Sequence, residues 1–316
     1  MADIIIGPTG LALDVIGIGS GMKQEGMLQG CITAPGGSQL NLAYGLCILG
    51  HQVKIIGYFS DDPIGEICLQ NLVECGIDVT HMIRREGVTY TAFVLTEPDV
   101  PRRTIFANTR GLCVGELMKD GELFLLELEK AGKADFYGML AAAPQNLEEL
   151  GVYIDLFRTA QERKMCTFLE PPEDPDALDM EILRPLLPYI DLFLPGGKEL
   201  AILTGTDDYH RGIQMIRENG CGTVVCKLGA SGCCVVSEEG EFLVPGYSVT
   251  VRDLTGAGDG FAAGLLHGLA QNWTLVEAAD FANRYAASNI TKVGPRAGME
   301  REEDVAADIT RKRKSV

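Results

Sequence analysis

The feature that most constrains this chain is an alternation along its length. Apolar runs of strand length at 4–6, 53–58, 134–140, 166–169, 192–194 and 223–227 are separated by segments of helical period at 39–49, 64–75, 147–163, 209–218, 261–269 and 276–291. Strands buried on both faces read as continuous apolar runs, and helices on this spacing cover a mostly parallel sheet on both sides. The fold class expected is therefore α/β. Two segments break the alternation. Residues 14–34 are Gly-rich with weak period, and 88–106 alternate polar and apolar side chains, as do strands with one face solvated or turned to a ligand. They predict a small β-strand lid, inserted at about 14–34 and 88–107 into a single core domain spanning 1–316. No linker or internal repeat divides the chain.

Composition removes several function classes. A net charge of −17 opposes a protein that grips nucleic acid through its overall field. The basic run RKRK at 311–314 reads as a solvated tail. No apolar run reaches the roughly 18–20 residues of a membrane span. The first residues, MADIIIG, read as a strand and not as a signal peptide, so a cytoplasmic protein is expected. Ten cysteines include no Cys-x-x-Cys pair and no His at zinc-ligand spacing from two of them. Buried free thiols in a reducing compartment are the reading, with strand packing for the vicinal Cys233 and Cys234. An acidic protein that binds a polyanion must use local donors and a cation, which points to Gly-rich loops and helix N-termini.

One such loop stands out. DLTGAGDGF at 253–261 follows a strand-like run, YSVTV at 247–251, and opens the apolar-periodic stretch 261–269. A Gly-rich loop opening a helix offers unpaired N–H groups and the positive end of the helix dipole, and small residues let a phosphate come close. This arrangement suits an anion hole for a transferring phosphoryl group, with Asp259 beside it to accept a hydroxyl proton. The plainer alternative is an ordinary helix start with Asp259 as a first-turn acid. The loop is not a P-loop, since no Gly-Lys-Ser/Thr follows.

Here the chain resembles the ribokinase-like (PfkB) family of carbohydrate and nucleoside kinases. DLTGAGD matches that family's C-terminal motif except for Leu254 in place of Thr. GGSQLNLAYGLCILG at 36–50 is similar to its N-terminal motif, followed by VKIIG at 53–57, DPIG at 62–65 and KLGASG at 227–232. These occur in family order over about 4–298.

The resemblance implies a ribokinase-like fold, with ATP and Mg2+ as cofactors and K+ as a second cation. It implies Asp259 as base, with Gly256, Ala257 and Gly258 supplying backbone donors. Asp14, Gly36, Gly37 and Asn41 would hold substrate hydroxyls, and Asp62 either shares that work or caps the helix starting near Ile64. Lys227, Gly229, Gly232 and Asn283 would lie against ATP. Asp253, with carbonyls of 292–298, would hold the monovalent cation. Where relatives carry Asn-x-x-Glu, this chain reads GGKE at 196–199: Glu199 remains for Mg2+ through water, Gly196 replaces the Asn, and Lys198 is a candidate phosphate contact. EPPE at 170–173 also departs from the family pattern, leaving Glu170 as a metal- or phosphate-side candidate.

Acceptors in such a family include sugars, sugar acids, sugar phosphates and nucleosides. Arg102 and Arg103 would suit an anionic acceptor, with Arg103 the substrate-site candidate. Tyr90, Phe93 and Phe106 would suit a base. A homodimer through the lid is expected, with no nucleic-acid or membrane partner. A dinucleotide fingerprint at IGIGSGM, 16–22, has its third Gly one position early. A non-catalytic sugar- or nucleotide-sensing module is the remaining alternative.

Overall fold

Ile4, Ile5 and Ile6 are all fully buried, yet they enter two different layers: Ile4 and Ile6 pack on one side of their strand and Ile5 on the other. Period-two alternation within an unbroken apolar run is what a strand at the centre of a two-faced sheet requires. That strand is β1 (Asp3–Gly10). The computed structural model describes residues 1–19, 28, 30–97, 100–108, 118–305 and 310–311. Among these, β1 joins β4 (Gln52–Ser60), β5 (Asp78–Arg85), β8 (Phe136–Met139), β9 (Cys166–Leu169), β10 (Leu192–Phe193), β11 (Thr223–Lys227), β12 (Gly232–Ser237) and β13 (Gly240–Pro245). The order is β13-β12-β11-β10-β9-β8-β1-β4-β5, parallel except for the β11–β12 and β12–β13 pairs.

Helices cover both faces. Helices Ser38–Ile48, Ala257–Ala270 and Leu275–Asn289 contribute to one core layer, and Gly121–Ala131, Leu147–Glu162, Gly197–Thr204 and Tyr209–Glu218 to the other. In the first layer glycines set the spacing. A Cβ on Gly45 would sit 2.9 Å from Ala263, and one on Gly264 would sit 2.9 Å from Ala282. Close helix packing therefore brings the N-terminal turns of Ser38–Ile48 and Ala257–Ala270 together. Cys233 and Cys234 point into opposite layers, as strand packing predicts, and the described cysteines are all free thiols.

A second sheet has the order β3-β2-β6-β7, built from β2 (Ala12–Ile18), β3 (Gly30–Gly36), β6 (Tyr90–Glu97) and β7 (Val100–Ala107). It draws on the two segments that broke the alternation. The α/β fold with a mostly parallel sheet and a small separate β-sheet matches the expectation. Two readings need correction. The strand-like run at 247–251 is only the two-residue β14 (Tyr247–Ser248), and it pairs with β15 (Thr310–Arg311). The basic run thus begins in a short ladder and not in a free tail; 312–316 lie outside the described residues. No helix among the described residues is long and apolar enough to cross a membrane.

Candidate active site

Asp259 sits in the first turn of the helix Ala257–Ala270, whose N-cap, Gly256, is left-handed at φ 76°. A Cβ there would lie 2.1 Å from the Pro295 carbonyl oxygen, so this turn needs glycine. No side chain caps this helix end; Ala257 N–H donates to the Leu254 carbonyl at 3.2 Å, which leaves the Gly258 and Asp259 amides to receive an anion. Asp259 is 6% exposed. Asn41 Nδ2 donates to its Oδ2 at 2.7 Å, and Arg296 Nε donates to Asn41 Oδ1 at 2.8 Å. Burial raises the Asp259 carboxyl above its ordinary range, opposed by hydrogen bonds from Asn41 and Ser38 and by the charges of Lys227 and Arg296. The chain Arg296–Asn41–Asp259 fixes one carboxylate oxygen, while burial makes the group a better proton acceptor than a solvated one.

Asn289 holds the loop from behind. Its Nδ2 donates to the carbonyls of Gly256 (3.1 Å) and Pro295 (2.9 Å), and its Oδ1 accepts from Gly298 N–H. Asp253 accepts from Thr255 N and Oγ1 with one oxygen and from Gly294 N with the other. It is buried, and among the described residues it pairs with no Lys or Arg. A buried carboxylate without a cationic partner, tied to the 294 turn, could hold a monovalent cation.

Two cavities lie on either side of the Glu170–Lys227 pair, the first lined by Glu170 and Gly258 and the second by Lys227. The first, about 770 Å³, is lined by Asp14, Gly37, Asn41, Tyr90, Glu170 and the turn from Thr255 to Asp259, among others. The second, about 740 Å³, is lined by Gly196, Glu199, Lys227, Gly229, Tyr209 and Leu243, among others. Lys227 Nζ and Glu170 Oε2 form an ion pair at 2.6 Å between them, and a Cβ on Gly258 would stand 3.3 Å from Glu170 and 3.4 Å from Lys227. Burial pushes the Glu170 carboxyl up to about 7; Lys227 pulls it down, and the carboxylates of Asp259 and Glu199 add to the rise. Glu199 Oε2 is buried and accepts no hydrogen bond. A Cβ on Gly196 would lie 2.2 Å from it, so Glu199 occupies the space that a side chain at 196 would take. An orphan carboxylate oxygen in the field of two other acids fits a hard divalent cation.

Of the residues singled out from sequence, Asp14, Gly37, Asn41, Gly256, Ala257, Gly258 and Asp259 line the first cavity. Gly36 backs it, since a Cβ there would strike the Asp14 carboxylate at 2.2 Å. Lys227, Gly229, Lys198 and Glu199 line the second. Gly232 and Asn283 line neither. Gly232 turns the chain into β12 at φ 100°, and Asn283 is buried, donating to the Val244 carbonyl at 3.2 Å. Asp62 caps its helix, accepting from Gly65 N, and also binds Thr89. Tyr90 faces the first cavity, while Phe93 and Phe106 are paired across β6 and β7 on the other face, 51% and 61% exposed. Alternation along β6 removes those two as base-stacking residues. The side chains of Arg102 and Arg103 lie outside the described residues. Arg296 and Asn289 were not singled out. The one sequence signal was an Arg inside the turn GPRAG, where a charge has no local reason to be.

Residues 10–302 match the family described as pfkB family carbohydrate kinase. An uncharacterized sugar kinase of Archaeoglobus fulgidus is 28% identical over 82% of this chain and 100% of its own. The crystal structure of a putative ribokinase II from E. coli in complex with ATP and Mg2+ superposes with a TM-score of 0.81 at 21% identity, covering 96% of this chain and 97% of that one. A fructokinase double mutant of Vibrio cholerae, in a form bound to fructose, ADP and potassium ion, superposes at 0.78 with 23% identity, covering 96% and 97%.

Proposed function

The chain belongs to the pfkB family of carbohydrate kinases, and on that premise we propose that it moves the γ-phosphate of ATP to a hydroxyl of a small sugar, with Asp259 as the base. The observation that carries this reading is the buried Asp259, oriented by Asn41 and Arg296 at an uncapped helix N-terminus that lines the first cavity. The sugar occupies the first cavity, with Asp14, Gly36, Gly37 and Asn41 at its hydroxyls. The acceptor oxygen attacks the γ-phosphorus as its proton passes to Asp259. The new O–P bond forms, the bond to the β,γ-bridging oxygen breaks, and ADP leaves. Amides of the 256–258 turn and the Lys227 ammonium stabilise charge on the transferring group.

The nucleotide lies in the second cavity against Lys227 and Gly229. Glu199 would hold Mg2+ through water, which neutralises phosphate charge when bound, and Glu170 lies on the phosphate side, paired with Lys227. Asp253 and the carbonyls of 292–298 hold K+. The four-stranded sheet acts as a lid on a single core domain, and its exposed Phe93–Phe106 face packs against a second copy in a homodimer. Tyr90 in the acceptor cavity favours a nucleoside as the alternative substrate class.

The test is ADP release measured with sugars, sugar acids, sugar phosphates and nucleosides in turn. Turnover is expected with a small sugar. Turnover with nucleosides alone would replace the substrate assignment, and none with any class would contradict the reading.

A further inference from the structure

At the sheet edge beyond the nucleotide cavity, three chemically different donors converge from three elements. His210 lies in the first turn of the helix Tyr209–Glu218, Cys234 on β12 and Glu241 on β13. Cys234 pairs in register with Leu243, so Glu241, two residues earlier, stands diagonally from it on the same face. That face looks toward the helix carrying His210. One ligand atom from each residue lies within 4.8 Å of the other two. His210 Nδ1 is 2.5 Å from Glu241 Oε1, and Cys234 Sγ is 3.9 Å from the same oxygen.

We propose that His210, Cys234 and Glu241 form a binding site for a borderline-soft divalent cation of the zinc class, with water in the fourth position. Bond lengths of about 2.0–2.1 Å to N and O and about 2.3 Å to S put tetrahedral ligand atoms about 3.3–3.6 Å apart. The sulfur–oxygen separation needs to close by a few tenths of an ångström, and the nitrogen–oxygen contact must open by less than one. Both adjustments fall on exposed side chains, since His210 is 52% and Glu241 47% accessible, which also gives the ion its route in. Cys234 is buried, and its thiol is pushed up to about 11, mainly by burial and by Glu241 beside it. Without metal it is protonated. Binding forms an Sγ–metal bond and releases that proton to water. A mixed N, S, O set suits zinc and not magnesium, so this site does not compete for the cation expected at Glu199. The site adjoins the nucleotide cavity: the His210 ring lies 4.1 Å from that of Tyr209, which lines it together with Leu243.

The experiment is a Co2+ titration of the full chain after chelator treatment, followed by displacement with Zn2+. One equivalent of tetrahedral cobalt is expected, with thiolate-to-cobalt charge-transfer absorption in the near ultraviolet. Cys234→Ser should abolish that band. His210→Ala and Glu241→Gln alter exposed side chains and leave the fold intact, as thermal melts will check. Each should weaken binding at least about tenfold, the least that loss of even an outer-shell partner costs. No thiolate band, or a band at full strength in any one of the three variants, overturns the proposal.

Discussion

The two cavities on either side of the Glu170–Lys227 pair are built differently. Around Asp259 the polar side chains orient one another: Arg296 Nε holds Asn41, Asn41 holds Asp259, and Asn289 ties Gly256 to Pro295, although Gln39 Oε1 and Arg296 Nη2 are buried without a partner. On the nucleotide side, Glu199 has an orphan buried oxygen, and Lys227 leans on a carboxyl titrating at about 7. Preorganised dipoles serve where charge develops during reaction. Unsatisfied acids serve where a cation and a polyanion arrive together and neutralise one another. The Asp259 turn is thus held in place by its own neighbours, and on the proposed reading the acids of the second cavity gain their partners from the ligands.

The comparison can be broken from either side. Apart from Asp259 itself, the largest effect is expected at Gly256. Val at this left-handed position meets the Pro295 carbonyl and should dismantle the turn, lowering kcat by about 10²–10³-fold and stability by about 1–3 kcal/mol in a thermal melt. Wild-type turnover in Gly256→Val would mean that the turn is not preorganised. On the nucleotide side Lys227→Met removes a charged donor without disturbing a backbone turn. A loss of roughly 10–100-fold in kcat/KM for ATP is expected, with a lowered melting temperature, since Glu170 is left buried without its ion-pair partner.

Smaller effects sharpen the contrast. Below pH of about 7 Glu170 is neutral and Lys227 is free for phosphate; above it the carboxylate holds Lys227. ATP affinity measured by calorimetry should therefore tighten a few-fold as pH falls from 8 to 6. Glu170→Gln should flatten that dependence. The same slope in the variant would assign the titration to another group. Least affected should be Gly196→Asn, whose side chain must displace the Glu199 carboxylate. The Mg2+ concentration for half-activation should move a few-fold while acceptor KM stays put, and an unmoved Mg2+ curve would count against Glu199 as the metal anchor.

The same contrast governs what could be read from sequence. Strands Cys166–Leu169 and Thr223–Lys227 and the helix Tyr209–Glu218 stand at the expected residues, because continuous burial or a clean amphipathic period determines each. The helix Gly121–Ala131 went unread although Phe124, Leu128 and Ala131 recur at helical spacing; Leu123, Leu125 and Leu126 blur the period. The β12–β13 hairpin escaped because its strands switch to antiparallel at the sheet edge. In the candidate site, Asp259 stands out because it sits in a Gly-rich helix start, whereas Asn41 is singled out only by its place in the order of the family's motifs. Arg296 bonds to a residue 255 positions away, and Lys227 pairs with Glu170 across the sheet, contacts that no local pattern encodes.

The central claim is that Asp259 takes the acceptor's proton and does not hold the nucleotide. Asp259→Asn keeps the shape and the contact with Asn41 but removes the basic oxygen. Rapid-quench single turnover on that variant, alongside calorimetry with ATP, separates the two roles. The account predicts phosphoryl transfer slowed by about 10²–10⁴-fold or more with ATP affinity unchanged. Transfer at near the wild-type rate would contradict it.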